Sequence, residues 1–582
     1  MPLLCRLAKP WIALLLVALP IGTAGAGEPD PVRGRAGMVV STQHDAARAG
    51  QAMLARGGNA VDAAVATAFA VGVTQPFSAG LGGGAFVLIR LADGRVVALD
   101  ARETAPAAAD RDMYVREGVP ERASLFGPLA VATPGFVRGM ALALERWGTL
   151  PLDVVLAPAI RLAEEGFAIG PYHAAMLQRM RGYGLPRRFP ETGRIQFPDA
   201  GASEPRVGWR LVQKDLAATL RRIAEEGPEV FHTGDVARAI ADHMKAVGGL
   251  VTLDDLAGYT PKLREPVRGT YRGLEVVSFP PPSSGGIALV ETLNILEGLD
   301  LSAGAGSEEA THAIAEAMKL AFADRAAYLG DSDFVDVPTA RLVSKEYAAG
   351  LRARLLPVWW RPSTWSNGER AITVEGPGLP ADDAGTTHLS TSDALGNVVA
   401  LTMTINTPFG SGITVPGTGI VLNNEMDDFA VAPDTPNAYG LVDTTGANAI
   451  APGKRPLSSM TPTVLLADGA PFMVTGSPGG PRIITTTLLT VLNVVDFGMN
   501  VQQAVAAPRF HHQWVPDTLF VEPETDPALV EALRARGHEV KVAQRRWSAA
   551  EAIVIGPGTG THEGGADPRT DGLAVGFDGT SP

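Results

Sequence analysis

The sequence predicts an α+β fold built on antiparallel sheets. Helical patterns and strand patterns occur in blocks, and consecutive strands are joined by short turns, as in a layered fold of hairpins covered by helices. Of the 582 residues, 46% are hydrophobic and 19% are charged, so the chain can bury a large core. The 66 glycines and 45 prolines indicate many turns and short strands.

The N-terminal half begins with two predicted helices and a hairpin. Residues 45–75 have a helical pattern that a Gly-Gly pair interrupts, and Asn59 is a suitable N-cap for the second helix. Strands over 86–91 and 95–101 flank a short Ala-Asp-Gly turn and predict the hairpin. Further helical patterns lie over 135–166, 213–226, 234–247 and 307–328. A proline-rich loop over 278–286 precedes another predicted helix.

The C-terminal half opens with a second predicted hairpin. Residues 355–385 are rich in Pro, Gly and Asp and have no periodicity, which indicates a long exposed connection. Strand patterns follow on both sides of a turn centred on Leu395, and counting outward from it puts Thr386 opposite Thr404. Such threonine pairs are common on sheets, so this register alone does not indicate catalysis. Further strands are predicted over 419–425 and 461–476. Further helices are predicted over 482–497 and 500–510.

The first residues predict a secretory signal peptide. Two basic residues precede an apolar run over 11–22, and an Ala-Gly-Ala triplet that ends at Ala26 follows it. The run is shorter than the about 20 residues of a membrane-spanning helix, so we expect cleavage after Ala26 and no membrane span. A signal peptide over 1–26 predicts a periplasmic or secreted protein. Cys5, the one cysteine of the sequence, lies within it, so the mature chain would have no disulfide and no thiol nucleophile.

Charge and short motifs exclude several classes of function. A net charge of −13 and a pI near 5.3 argue against nucleic-acid binding, which needs a concentrated basic surface. Glycine-rich stretches at 80–84 and 476–480 are either ordinary turns or cradles for an anion. His511 and His512 are adjacent on a predicted strand and would face opposite ways, so we predict no metal site. The acidic stretch 423–428 lacks the spacing of a calcium loop and indicates a solvated turn.

Several stretches, found together and in one order, resemble the γ-glutamyltranspeptidase family. The resemblance extends over nearly the whole chain from about residue 37, and it includes "DARETAP", "PPPSSGG", "DDAGTTHLS", "KRPLSSMTPT" and "GSPGGPRII". It implies an N-terminal-nucleophile hydrolase fold, which is a four-layer αββα sandwich, and it implies no cofactor. It also implies a precursor that cleaves its own Gly385–Thr386 bond. The products would be a large subunit, residues 27–385, and a small subunit, residues 386–582, which remain together as a heterodimer.

The resemblance also assigns a site. Its implied catalytic residues are the nucleophile Thr386, the supporting residue Thr404 and the oxyanion-hole donors Gly479 and Gly480. The implied contacts to the glutamyl group are Arg102, Ser458 and Ser459 for the α-carboxylate, Asn406, Glu425 and Asp428 for the α-ammonium, and Tyr439 in a lid loop. The implied substrates are glutathione and other γ-glutamyl compounds, with water, amino acids or dipeptides as acceptors, so the expected protein is a γ-glutamyltransferase and glutathione hydrolase.

Two departures from the family pattern and two alternative functions accompany this hypothesis. Glu425 stands where some bacterial members have Gln, and Pro481 stands where Ser is more usual, which removes an N–H beside the predicted oxyanion hole. One alternative is an acylase on the same scaffold that releases glutaryl groups from cephalosporins, which would not need the ammonium contacts. The other alternative is a non-catalytic periplasmic binder of γ-glutamyl peptides.

Overall fold

The computed structural model describes residues 30–355, 385–432, 435–556 and 558–579. The predicted signal peptide, residues 1–26, lies outside these ranges. The predicted connection over 355–385 also lies outside them, apart from its first and last residues. None of the helices within the described ranges is both long enough and apolar enough to span a bilayer.

Strands and helices occur in blocks, as the sequence predicts, although the helical pattern over 135–166 divides into two helices. The strands within the described ranges are β1 (Val32–Gly34), β2 (Gly37–Ser41), β3 (Gly84–Arg90), β4 (Val96–Ala101), β5 (Phe167–Ala168), β6 (Arg210–Leu211), β7 (Lys262–Arg264), β8 (Val267–Tyr271), β9 (Leu274–Ser278), β10 (Thr386–Asp393), β11 (Val398–Thr404), β12 (Thr414–Val415), β13 (Ile420–Val421), β14 (Thr463–Ala467), β15 (Ala470–Gly476), β16 (Phe510–His511), β17 (Leu519–Val521), β18 (Val540–Val542), β19 (Glu551–Ile555), β20 (His562–Ala566) and β21 (Leu573–Phe577). The α-helices are α1 (His44–Ala55), α2 (Ala60–Thr74), α3 (Phe136–Trp147), α4 (Leu152–Glu165), α5 (Pro171–Gly182), α6 (Leu185–Arg188), α7 (Pro190–Gln196), α8 (Lys214–Glu226), α9 (Glu229–His232), α10 (Asp235–Val247), α11 (Leu253–Gly258), α12 (Gly285–Leu296), α13 (Glu308–Tyr328), α14 (Thr339–Leu342), α15 (Lys345–Leu355), α16 (Arg482–Val495), α17 (Val501–Ala506) and α18 (Pro527–Ala535).

Two antiparallel sheets of seven strands each form the centre of the fold. Sheet one has the strand order β1-β20-β19-β15-β14-β9-β8, and sheet two has the order β21-β2-β10-β11-β3-β4-β7. Every neighbouring pair in both sheets is antiparallel, as the hairpin patterns predict. The small sheet β16-β17-β18 departs from the prediction, because its β17 and β18 pair in parallel.

The two large sheets pack face to face and are covered by helices on their outer faces. Phe86 of sheet two stacks on Phe279, which follows sheet one, with ring centroids 4.1 Å apart. Other buried side chains of both sheets complete this apolar layer. The outer face of sheet two packs against α1, α2 and α3, and the outer face of sheet one packs against α12, α16 and α17. The fold is therefore the four-layer αββα sandwich that the family resemblance implied.

Local signals in the sequence predicted several elements correctly. Asn59 caps α2 and forms a capping box with Asp62. The pairing of β10 with β11 has the predicted register, with Thr386 opposite Thr404. The strand predicted over 419–425 is wrong beyond Val421, where the observed strand ends. The Asn423 side chain donates hydrogen bonds to carbonyl groups of two other segments, and the backbone around it does not continue the strand pairing.

The prediction of a solvated acidic turn at 423–428 is also wrong. Residues Glu425–Asp428 form a 3₁₀ helix whose side chains are buried. The cause is a basic residue that is distant in sequence, Arg102, whose guanidinium is ion-paired with Glu425 and Asp428. A buried carboxylate needs such a partner, and the local composition does not reveal it.

Candidate active site

The sandwich brings the ends of two central strands together. Thr386 is the first residue of β10 in sheet two, and His388 on the same face of that strand points toward sheet one. A Cβ on Gly476, the last residue of β15 in sheet one, would lie 2.4 Å from the His388 ring. Since β15 leads directly into Gly479 and Gly480, the fold puts this glycine pair beside Thr386 at the interface between the sheets.

A small cavity at this point collects most of the predicted site residues. Leu441, Leu457, Met460 and Ile483 contribute its apolar wall. Glu425 and Gly479 do not line it, because Glu425 is fully buried behind Arg102 and Gly479 lies under Ser548. The predicted residues that line the cavity are Arg102, Thr386, Thr404, Asn406, Asp428, Tyr439, Ser458, Ser459 and Gly480.

The hydroxyl group of Thr404 is the centre of a compact network around the Gly385–Thr386 bond. Its oxygen lies 3.0 Å from Thr386 Oγ1 and 2.9 Å from the carbonyl oxygen of Gly385, and it accepts a bond of 2.7 Å from the Asn406 N–H. The Ile405 N–H also donates to the Gly385 carbonyl, at 3.2 Å. Two donors therefore polarise the carbonyl next to Thr386. A side chain at Gly385 would not fit, because its Cβ would lie 2.1 Å from the Asn406 carbonyl oxygen.

Gly479 and Gly480 combine unusual backbone conformation with free donors. Their φ angles are +136° and +55°, which glycine adopts without a Cβ penalty. Within the described residues, neither backbone N–H donates a hydrogen bond. The pair precedes the 14-residue helix α16, whose N-terminus adds a partial positive charge. Pro481 does not disturb the turn, because the Arg482 N–H closes it onto the Gly479 carbonyl at 3.0 Å.

A buried cluster of charges forms the other end of the cavity. Arg102 has only 1% of its surface exposed, and its guanidinium lies 2.8 Å from Glu425, 2.5 Å from Asp428 and 3.6 Å from Glu103. Burial alone would lower the pKa of Arg102, but the three carboxylates together raise it. Burial also raises the pKa of Glu103 to about 8, against the opposing charge of Arg102. Glu103 was not predicted as a site residue, although it follows Arg102 directly in the sequence.

The remaining predicted residues surround this charge cluster. Asn406 has a φ angle of +77°, and its side-chain amide donates to the Asn424 carbonyl at 2.9 Å. Ser458 and Ser459 lie on a segment that the N-terminal half of the chain supports, since the Ser284 N–H donates to the Ser458 carbonyl at 2.8 Å. The hydroxyl of Ser458 accepts a bond from the Met460 N–H at 3.1 Å. These contacts fix hydroxyl and amide groups around an opening that faces Arg102.

Tyr439 covers the glycine pair and is anchored at two points. Its hydroxyl donates to the Asn406 carbonyl at 2.6 Å, and a Cβ on Gly480 would lie 2.6 Å from its ring. The preceding residue, Ala438, donates its N–H to the buried carboxylate of Asp427 at 2.9 Å. Burial raises the pKa of Asp427 to about 6. This anchor was not predicted, because nothing in the acidic stretch distinguishes Asp427 from its neighbours.

Histidine clusters lie outside the cavity. His511, the last residue of β16, and His512 after it are buried and make separate bonds, to Thr485 and to Asp517. Within the described ranges, His312, Glu316 and His538 bring three metal-binding atoms within 4.8 Å of one another. His312 bonds directly to His538 at 2.7 Å, and the Lys319 ammonium lies 3.4 Å from Glu316. This positive charge disfavours a divalent cation there.

Comparison with known proteins identifies the family. The family model of γ-glutamyltranspeptidase matches residues 46–577. The chain belongs to the γ-glutamyltranspeptidase family. The glutathione hydrolase proenzyme of Escherichia coli (strain K12) is 46% identical over 555 residues, which are 94% of this chain and 93% of that protein. The sequence-based assignment to this family is therefore confirmed.

Proteins that are named acylases are also similar to this chain. The acylase ACY 1 proenzyme of Pseudomonas sp. (strain SE83) is 42% identical, with 95% of each chain covered. The crystal structure of cephalosporin acylase from Bacillus halodurans superimposes with a TM-score of 0.82 at 31% identity, covering 97% of this chain and 100% of that one. This similarity supports the sandwich fold and does not by itself separate the two activities.

Proposed function

We propose that this protein is a γ-glutamyltransferase and glutathione hydrolase that is made as a precursor. The observation that carries the proposal is one cavity with two chemically different ends. Thr386 and Gly480 lie at one end, and the buried charges of Arg102 and Asp428 lie at the other. A γ-glutamyl group has a carbonyl at one end and an α-amino acid zwitterion at the other, so it matches both.

Maturation begins at the Gly385–Thr386 bond. Thr386 Oγ1 attacks the carbonyl carbon of Gly385, and the peptide C–N bond breaks as the Thr386 nitrogen takes up a proton. Water then hydrolyses the resulting ester, which gives a carboxylate on Gly385 and restores the Thr386 hydroxyl. The donors Thr404 and Ile405 on the Gly385 carbonyl oxygen would stabilise the negative charge that develops there.

The new α-amino group makes Thr386 a competent nucleophile. A threonine hydroxyl needs a base at neutral pH, and an α-amino group has a pKa near 7.7–8.0, so a useful fraction is neutral. Thr386 Oγ1 attacks the γ-carbonyl carbon, the α-amino group takes its proton, and the departing amine receives that proton as the amide C–N bond breaks. The oxyanion accepts bonds from the N–H groups of Gly479 and Gly480.

The γ-glutamyl ester on Thr386 is resolved in one of two ways. Attack by water releases glutamate, and attack by the amine of an amino acid or dipeptide forms a new γ-glutamyl amide. In both cases the C–O bond to Thr386 breaks and its oxygen recovers a proton. Closure of Tyr439 over Gly480 limits the access of solvent to this intermediate.

Recognition of the glutamyl end uses the charge cluster. The Arg102 guanidinium has the planar geometry for a bidentate pair with the substrate α-carboxylate, which Ser458 and Ser459 would complete. The α-ammonium would then pair with Asp428, which lines the cavity, with Asn406 beside it, while Glu425 adds its negative charge from behind Arg102. A zwitterion thus replaces the ion pair of Arg102 with Asp428, and Arg102 keeps its pair with Glu425, so no buried charge is left unpaired.

An acylase for glutaryl groups is the second candidate, because acylases are similar to this chain in sequence and fold. A glutaryl group has no α-ammonium, so its binding would leave the carboxylates beside Arg102 without a new partner. The buried pair of Glu425 and Asp428 therefore favours the γ-glutamyl substrate. Release of p-nitroaniline from γ-glutamyl-p-nitroanilide and from glutaryl-p-nitroanilide distinguishes the two, and faster release from the glutaryl substrate would overturn the proposal.

The proposal includes the subunits and the location. Residues 27–385 form the large subunit and residues 386–582 the small subunit, which remain associated as a heterodimer. The signal peptide over 1–26 directs the precursor to the periplasm or to secretion. A denaturing gel of the purified protein should show two bands, the smaller beginning Thr-Thr-His by N-terminal sequencing. Thr386→Ala should leave one uncut and inactive chain, and an uncut but fully active protein would refute the mechanism.

A further inference from the structure

A second opening in the small-subunit half has a distinct electrostatic character. We call it the cationic groove and define it by Arg482, Arg534, Lys541, Arg545, Arg546 and Trp547. It is an open groove of about 1150 Å³, and no acidic side chain lines it. In a protein with a net charge of −13, five basic side chains around one groove are a local exception.

Part of this positive charge has internal partners. Three of the basic side chains form ion pairs with glutamates that lie outside the lining. The pairs are Arg534 with Glu531 at 2.7 Å, Lys541 with Glu539 at 3.0 Å and Arg546 with Glu524 at 2.6 Å. Arg545 is exposed and forms no ion pair within the described residues. The groove therefore keeps a surplus of positive charge, to which Arg545 contributes most directly.

A buried donor at the base of the groove adds an independent observation. Trp547 has only 3% of its surface exposed, and its Nε1–H has no hydrogen-bond partner within the described residues. The guanidinium carbon of Arg482 lies 4.9 Å from the Trp547 ring centroid, so the two side chains stack. A buried N–H without a hydrogen bond destabilises the folded protein, and a ligand that accepts a hydrogen bond from this N–H would remove that free-energy cost.

The groove adjoins the glycine pair of the candidate active site. Arg482 follows Gly480 by two residues, so their Cα atoms are at most about 7.6 Å apart. On the other side, Ser548 directly follows Trp547, and a Cβ on Gly479 would lie 2.1 Å from Ser548 Oγ. Both walls of the groove thus begin one or two residues from the groups that would contact the γ-carbonyl.

We propose that the cationic groove binds the free carboxylate of the peptide or amino acid that reacts at the γ-carbonyl. This molecule is the leaving group in the first step and the attacking acceptor in the second. This inference rests on the proposed function and adds a specificity determinant to it. A dipeptide extends about 7 Å from its amine to its carboxylate, so it is long enough to reach from the glycine pair toward the start of the groove at Arg482. The Arg545 guanidinium and the Trp547 N–H would meet the carboxylate, and the amine would remain at the ester on Thr386.

The test compares two acceptors that differ only in the carboxylate. Glycylglycine and glycylglycinamide present the same type of amine, and γ-glutamyl-p-nitroanilide serves as the donor for both. Arg545→Gln should lower kcat/KM for glycylglycine about threefold to fivefold, as expected for one exposed charge pair. The value for glycylglycinamide should change less than about twofold, and the effect should decrease as salt is added.

Arg146→Gln is the matched control, because Arg146 is an exposed residue on α3 in the opposite helical layer and the variant removes the same charge. Arg146→Gln should leave kcat/KM unchanged for both acceptors. Equal losses for both acceptors in Arg545→Gln, or an identical response of the two variants, would overturn the inference. Failure of the proposed function has a different signature, because the unmodified protein would then release no p-nitroaniline even in the absence of an acceptor.

Discussion

The hydroxyl oxygen of Thr404 lies 2.9 Å from the carbonyl oxygen of Gly385, in the bond that we propose the precursor cleaves. The same hydroxyl is 3.0 Å from Thr386 Oγ1. Removing a donor from a developing oxyanion slows acyl transfer about 10²- to 10³-fold. We therefore expect Thr404→Val to accumulate uncut precursor, with the processing rate measured by gel from a synchronised expression pulse.

Thr404→Ser is the control for this prediction, because it keeps the hydroxyl and removes only a methyl group. It should process within about tenfold of the unmodified rate. The Asn406 N–H, which bonds to the Thr404 hydroxyl at 2.7 Å, loses its acceptor only in the valine variant. If valine and serine variants process equally fast, the hydroxyl does not stabilise the oxyanion.

Gly480→Ala should damage the site while leaving the fold intact. The residue has a φ angle of +55°, and an added Cβ would lie 2.6 Å from the Tyr439 ring, so the lid must move. We expect kcat/KM for γ-glutamyl-p-nitroanilide to fall about 10²-fold, because the oxyanion donor moves with the backbone. The measurement is steady-state release of nitroaniline by the processed heterodimer.

Gly498→Ala separates this effect from backbone strain. Gly498 has a similar φ angle of +65°, but a Cβ there would meet no atom within 4 Å. Its alanine variant should lose about 1 kcal/mol of stability and keep its kcat/KM. Equal losses of activity in both variants would show that Tyr439 and the glycine pair are not the cause.

Arg102 should be required for stability as well as for substrate binding. Arg102→Gln leaves Glu425, Asp428 and Glu103 buried without their cation, which costs about 3–5 kcal/mol when one partner of a buried pair is removed. Adding Glu425→Gln to the same chain removes one uncompensated carboxylate and should restore part of that loss. Urea unfolding of the single and double variants, each in uncut Thr386→Ala protein, measures the coupling. A double variant less stable than Arg102→Gln would contradict it.

The sequence predicted the part of the site that local spacing encodes. Counting outward from a turn is enough to pair Thr386 with Thr404, because the register of a hairpin follows from its turn. Arg102 and Asp428 are 326 positions apart and meet only when the helices and sheets pack. The hydrophobic periodicity of the sequence therefore does not predict this contact. For the same reason the acidic stretch at 423–428 was predicted to be solvated. Composition alone cannot distinguish a buried charge pair from an exposed turn.

The lid anchor and the cationic groove were beyond prediction for a related reason. Asp427 holds Ala438 through a backbone N–H, so any residue at 438 other than proline would make the same bond. The groove combines Arg482, at the start of α16, with Arg534 of α18 and the basic residues from Lys541 to Arg546, and the sequence does not show that these segments meet. Such sites depend on which loops the sandwich brings to one edge.

Buried histidines should make the protein sensitive to acid, and His388 is the clearest case. It is fully buried, its ring nitrogens bond to Thr402 and Ser390, and burial lowers its pKa to about 3 from the usual 6.5. Between these two values the unfolded chain binds a proton that the folded chain excludes. Stability is therefore full above pH 6.5 and falls as the pH decreases toward 3, by up to about 1.4 kcal/mol per pH unit for one such group.

His388→Gln removes this titration and keeps a side chain that can donate and accept. The slope of the unfolding free energy between pH 4 and 6, measured by urea titration of uncut Thr386→Ala protein, should decrease by about 1.4 kcal/mol per pH unit. His44→Gln is the control, because the bond that His44 donates to the Asp45 carboxylate raises the pKa of His44 above 6.5, so this imidazole is protonated in both states over this window. Its removal should leave the slope between pH 4 and 6 nearly unchanged. A slope that His388→Gln leaves unchanged would mean that the His388 imidazole is already protonated in the folded protein over this range.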